Sequence, residues 1–149
     1  MEPENFDDLQ IMARTLWGEA RGDGQEGIEA VARVIINRYR AGKWFTGYIV
    51  EKGKKKASIK QTCLKKFQFS CWNKNDINYR KLFAVDENDK IFVLCLKTAQ
   101  KALSKRLTDF TNNATFYHVK DDFLFHSMGY DAAPTSDTCL LHDKMLHCW

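Results

Sequence analysis

Ala13-Arg14-Thr15-Leu16-Trp17-Gly18-Glu19-Ala20-Arg21-Gly22 is the stretch from which the rest of the chain is best read. Leu9, Met12, Ala13, Leu16, Trp17 and Ala20 recur at the three- and four-residue spacing of an amphipathic helix. Asn5 or Asp7/Asp8 can cap its start, and Gly22 is a natural stop. On the helical wheel Glu19 lies beside Met12, at the border of the apolar stripe. There a carboxylate can be partly desolvated and still face a cleft. Gly22-Asp23-Gly24 reads as a turn. Ile28, Val31, Ala32, Ile35, Ile36 and Tyr39 then repeat the spacing in a second helix, closed by Arg38, Arg40 and Gly42. Two helices joined so tightly form an αα-hairpin, with Glu19 near its corner.

Further along, Lys43 to Ser58 reads as irregular. Lys52, Lys54, Lys55 and Lys56 around Gly53 fit a solvated loop; contact with an anionic polymer is the sharper reading. Ser58 to Leu64 fits a short helix capped by Ser58. Phe67-Gln68-Phe69-Ser70-Cys71-Trp72 alternates apolar and polar, as a short strand or extended loop does. Asn73 to Asn78 is turn-like. Ile91, Leu94, Cys95, Thr98, Ala99, Ala102 and Leu103 predict a further helix ending near Lys105-Arg106. Thr115 to Val119 reads as a strand, and Leu140-Leu141 and Met145-Leu146 suit small strands. With no repeat and no low-complexity tract, residues 1–149 read as a single domain. Its expected class is α+β, mainly helical, with a small β element.

Composition narrows the function classes. The chain has 149 residues, 44% hydrophobic and 28% charged, the profile of a globular domain with a real core. A net charge of +4 favours a polyanionic partner without choosing among nucleic acid, anionic membrane and anionic wall polymer. Five cysteines at irregular spacing make a poor disulfide framework and suggest reduced thiols. Met1 to Gln10 is acidic and lacks the pattern of a signal peptide. The apolar runs Ile91 to Leu96 and Ala30 to Ile36 are too short to span a membrane. The expectation is a protein made in the cytoplasm; if it acts outside, release or export by something else must carry it there.

Glu19 is the first candidate for chemistry. Cleaving a glycosidic bond requires an acid to protonate the leaving oxygen, and a glutamate among an indole and aliphatic groups, such as Trp17 and Met12, is suited to that role. By residue type and spacing alone, a surface glutamate paired with Arg14 or Arg21 is the simpler reading. The usual two-carboxylate mechanism needs a partner acid. Asp23 sits in the turn, and Glu26 and Glu29 look like first-turn acids of the second helix. A mechanism with one acid, in which a substrate group completes the second half, fits better. Cys139-x-x-His142 with His147-Cys148, and His118 and His126 upstream, loosely resembles a zinc knuckle but matches no common signature; no metal and no cofactor is expected. Cys71 paired with His118 would suit a cysteine hydrolase, although a buried structural thiol is the simpler reading. No phosphate-binding loop is present, and the clustered lysines argue against a nucleic-acid reader. A non-catalytic module that binds peptidoglycan or another anionic polymer is the alternative class.

Taken together, Ala13 to Gly22, Glu26-Gly27, Ala30-Val31-Ala32 and Val34-Ile35-x-Asn37-Arg38 resemble the opening of the SleB-type cell-wall hydrolases, the spore-cortex-lytic and phage endolysin-like enzymes that cleave peptidoglycan. Gln68-Phe69-Ser70-Cys71-Trp72 is similar to a middle motif of that family. Asn113-Ala114-Thr115-Phe116-Tyr117-His118 is similar to its following strand, and Leu146-His147-Cys148-Trp149 to its end. The resemblance implies a lysozyme-like, lytic-transglycosylase-like fold with Glu19 as the catalytic acid and base. It implies cleavage of the β-1,4 bond between N-acetylmuramic acid and N-acetylglucosamine, with the muramyl 6-hydroxyl attacking to leave an anhydro end. Gln68, Ser70, Trp72, Tyr117 and His118 would line the glycan groove of an enzyme acting as a monomer. The lysine-rich segment from Lys52 to Lys66 is longer than the family usually shows.

Overall fold

The computed structural model describes residues 2–119, 139–141 and 145–148, with side chains as far as Tyr117. Three helices carry the core. α1 (Asp8–Ala20) begins where the Asp7 carboxylate accepts the Gln10 N–H at 2.8 Å. That bond satisfies one of the amide groups a helix start leaves unpaired. α2 (Gly24–Ala41) ends on Gly42, whose φ of 65° is the left-handed conformation that glycine adopts at helix ends. α5 (Lys90–Leu103) is capped by Asp89, which accepts from Ile91 and Phe92. Ile11, Met12 and Leu16 of α1 meet Ile28, Val31 and Ile35 of α2 and Phe92, Cys95 and Ala99 of α5 in one buried cluster. The stripes read from spacing are therefore the faces that pack.

Two short helices fill the remainder of the body. α3 (Ile59–Leu64) starts at Ser58, whose hydroxyl accepts the Gln61 N–H as expected. α4 (Tyr79–Ala84) was not legible, because its single turn and a half buries only Leu82. β3 (Phe116–Val119), β4 (Cys139–Leu141) and β5 (Met145–Cys148) form an antiparallel sheet in the order β3-β5-β4. The chain is thus α+β and mainly helical.

Two segments depart from expectation. Lys43 to Ser58 is not irregular throughout: β1 (Tyr48–Glu51) and β2 (Lys54–Ala57) pair as an antiparallel hairpin, with Val50 opposite Lys55. Lys52 and Gly53, with φ of 50° and 73°, make the tight turn whose twist matches a hairpin. Solvent on both sides removes the apolar alternation by which a strand is recognised. Phe67 to Trp72 is neither strand nor extended loop but leads into a 3₁₀ turn, Ser70–Trp72. Its alternation is illusory, since Phe67 is 79% exposed while Phe69 and Cys71 are buried.

Three buried arginines tie the helices to distant loops. Arg14 donates to the carbonyls of Leu82 and Val85, and its guanidinium lies 4.2 Å from the Phe6 ring centroid. Arg33 donates to the Leu107 carbonyl at 3.1 Å and pairs with Asp109 at 3.5 Å. Arg38 donates through Nε to the Thr115 carbonyl at 2.6 Å. Buried charges are tolerated where they are hydrogen-bonded, and here the carbonyls that accept from them lie far along the chain.

Gly47 anchors the hairpin to α3. Its N–H donates to Thr62 Oγ1 at 3.0 Å and its carbonyl accepts the Ser58 N–H at 2.9 Å. A Cβ there would stand 2.0 Å from the Gln61 carbonyl carbon. Gly47→Ala is expected to cost at least about 2 kcal/mol, the scale of overpacking, seen as a lower urea midpoint. An unchanged midpoint would contradict this packing.

Candidate active site

Glu19 is the penultimate residue of α1 and is half-buried. Its Oε1 accepts the Cys71 backbone N–H at 3.1 Å, and its Oε2 accepts the Tyr117 hydroxyl at 2.7 Å. The arginines that the simplest reading would pair with it are engaged elsewhere. Arg14 holds Leu82 and Val85, while Arg21 donates to Asn78 at 2.7 Å and lies over the Trp17 ring. Trp17 does not form the indole wall expected beside Glu19. Residues two apart on a helix face different ways, and the Trp17 N–H is spent on Asp89 at 3.2 Å.

The support around this carboxylate is close. A Cβ on Gly18 would come within 2.7 Å of Cys71 Cβ and 2.9 Å of its sulfur, so the glycine lets the Ser70–Trp72 turn approach α1 until the Cys71 N–H reaches Glu19. The Trp72 indole N–H holds the other end of that turn by donating to Thr15 Oγ1 at 2.8 Å. Phe69 stacks on Tyr117 with centroids 6.4 Å apart. Beneath them Arg38, held by Thr115, has its guanidinium 4.8 Å from Phe69 and 5.1 Å from Phe116. Burial lowers the pKa of Arg38, while the nearby Glu19 carboxylate acts to raise it; a guanidinium stays protonated throughout.

The electrostatics define what each neighbour can do. Burial, and then the adjacent Glu19 charge, push the Tyr117 phenol well above its ordinary value. Tyr117 is therefore a hydrogen-bond donor to the carboxylate across the usable pH range. The same two causes push the Cys71 thiol well up, and burial puts Cys63 at about 12. A thiol so disfavoured as thiolate is a poor nucleophile, which weighs against the Cys71–His118 reading. Cys63, Cys71 and Cys95 are free and buried, as the reduced-thiol reading expects.

The other residues singled out by sequence are placed as follows. Ser70 is exposed at the start of the turn, and Gln68 is half-buried, its backbone N–H donated to the Lys65 carbonyl at 3.1 Å. Trp72 faces Thr15 and packs edge-on against Phe83. His118 pairs with Leu146 through the strand backbone, but its side chain is outside the described residues, as are those of Cys139, His142, His147, Cys148 and His126. Among the described residues no group of three metal-ligating side chains occurs. Glu26 lies in the first turn of α2 as read, whereas Glu29 falls in the second turn, where it accepts from Gln25 at 3.1 Å. The sequence reading missed Gly18, Arg38 and the Cys71 N–H. A glycine inside a strong helical pattern was the available signal for a close approach.

The Cell Wall Hydrolase family model matches residues 22–127. The matched span is the greater part of the chain, and the protein belongs to the cell wall hydrolase family. It includes Arg38, Cys71 and Tyr117 and begins just after Glu19. The protein is accordingly an enzyme that degrades the cell wall, and its family implies peptidoglycan as substrate. No curated protein and no solved structure matches the chain. Among the described residues, no helix is long and apolar enough to cross a membrane.

Gly18→Ala should push the Ser70–Trp72 turn away from Glu19. Activity on peptidoglycan is expected to fall by about a hundredfold, the scale of a 1 Å misplacement. Adding Cys71→Gly, which removes the two nearest obstructing atoms, should restore much of it. Full activity of Gly18→Ala would contradict the role of this contact.

Proposed function

We propose that the protein cleaves the β-1,4 bond between N-acetylmuramic acid and N-acetylglucosamine as a lytic transglycosylase, with Glu19 as its one acid and base. The observation that supports the reading is that both oxygens of Glu19 are held by neutral donors, the Cys71 N–H at 3.1 Å and the Tyr117 hydroxyl at 2.7 Å, which orient one carboxyl group for proton transfer. Protonated Glu19 gives its proton to the glycosidic oxygen as the bond to C1 breaks. The two donors then stabilise the carboxylate left behind. Glu19 next takes the proton of the muramyl 6-hydroxyl as that oxygen bonds to C1. The anhydro product forms, the acid is regenerated, and no water is consumed.

Tyr117 positions Glu19 in this scheme, and Gln68, Ser70, Trp72 and His118 line the glycan groove of a lysozyme-like body. The enzyme works as a monomer on the wall, without nucleic acid and after release or export from the cytoplasm. Glu19→Gln keeps the side-chain shape and removes the transferable proton. Clearing of purified peptidoglycan should drop by at least about a hundredfold, the usual share of general acid–base catalysis, with an unaltered melting curve. Clearing at the wild-type rate would sink the assignment, whereas a wild-type protein that binds peptidoglycan but releases no soluble fragments would favour the binding-module reading.

A further inference from the structure

The β1–β2 hairpin has a role the active site does not explain. Every side chain from Ile49 to Lys56 is exposed, and none of the hairpin's side chains belongs to the buried core cluster. A two-stranded hairpin is marginal on its own, yet this one is turned tightly at Lys52-Gly53 and bolted at its base through Gly47. It also carries Lys52, Lys54, Lys55 and Lys56 against the single acid Glu51, giving it +3 of the chain's net +4. Only Lys56 is paired with that acid, at 3.4 Å. Lysines on open strand edges also deter pairing with other strands. That purpose needs no lysine at the turn and none on both faces.

The register says what kind of partner fits. Side chains alternate across a strand, so Val50 and Lys55 share one face, while Ile49, Lys54 and Lys56 share the other. Exposed apolar residues are thus split between the faces, and charge lies on both and at the tip. A flat bilayer calls for one apolar face with a polar one opposite. A flexible polyanion can follow charge around the tip. The cations are all lysines, compact point charges suited to phosphate without planar two-point recognition. The hairpin also leads back to the site. Trp44, 64% exposed just before its base, has its ring tilted against that of Phe116, centroids 6.0 Å apart, and Phe116 is the neighbour of Tyr117 on β3.

We propose that this hairpin docks the enzyme on a phosphodiester-linked anionic polymer of the cell wall, beside the glycan groove. The proposal rests on family membership and not on the role of Glu19, so its failure and that of the catalytic reading are separable. Sedimentation on ice with purified walls, intact or stripped of phosphodiester polymer by acid, tests it. Wild-type protein should bind intact walls at least about tenfold more tightly than stripped walls. That advantage should fall by about tenfold between about 50 and 200 mM salt, as release of counterions from about two contacts predicts. The variant Lys52→Gln/Lys54→Gln/Lys55→Gln/Lys56→Gln should lose the advantage while keeping its melting temperature and its turnover of short soluble glycan fragments. Equal binding to both wall preparations would overturn the proposal. So would an unaltered variant, or tighter binding to anionic phospholipid vesicles than to intact walls.

Discussion

A carboxylate near the carboxyl end of a helix meets the negative end of the helix dipole and the last unpaired carbonyls. Glu19 is held there only because donors arrive from elsewhere in the chain, the Cys71 N–H and the Tyr117 hydroxyl. Each depends on a contact made at a distance. The Ser70–Trp72 turn reaches α1 because Gly18 leaves it room, and Trp72 then fastens it to Thr15. Tyr117 is carried by β3, whose approach is fixed where Arg38 grips the Thr115 carbonyl. The body of the protein can be seen as a means of keeping three segments, from α1, the 3₁₀ turn and β3, around one acidic group.

Buried arginines are the usual expense of such an arrangement, and here they are its fasteners. Each of Arg14, Arg33 and Arg38 lies on one of the first two helices and reaches carbonyls 68 to 77 residues away. Breaking one would leave a buried cation short of acceptors, which costs far more than the loss of a surface pair. The αα-hairpin thereby acts as a template onto which the later half of the chain is pinned.

The helices were legible because their apolar stripes are the core, and Asp7, Ser58 and Gly42 sit where their chemistry predicts. The β1–β2 hairpin was not legible, because a strand wet on both faces has no alternation to read. α4 buries one leucine, too little for a period. Phe67 misled because its left-handed backbone turns it out of the pattern made with Phe69 and Cys71. At the site, spacing gave Glu19 a border position but favoured a bland pairing with Arg14 or Arg21; resemblance, rather than spacing, singled it out. The Cys71 N–H carries no residue-type signal at all. By position Arg38 reads as a charge complementing a helix end, yet it is buried against the Phe69 and Phe116 rings.

The account turns on one carboxylate doing the work of two, with a hydroxyl of the substrate in place of water. Mass spectrometry of muropeptides released in oxygen-labelled water tests that most directly. The account predicts anhydro ends free of label. Reducing ends carrying the label would contradict it, since they require water, and not the muramyl 6-hydroxyl, to bond to C1.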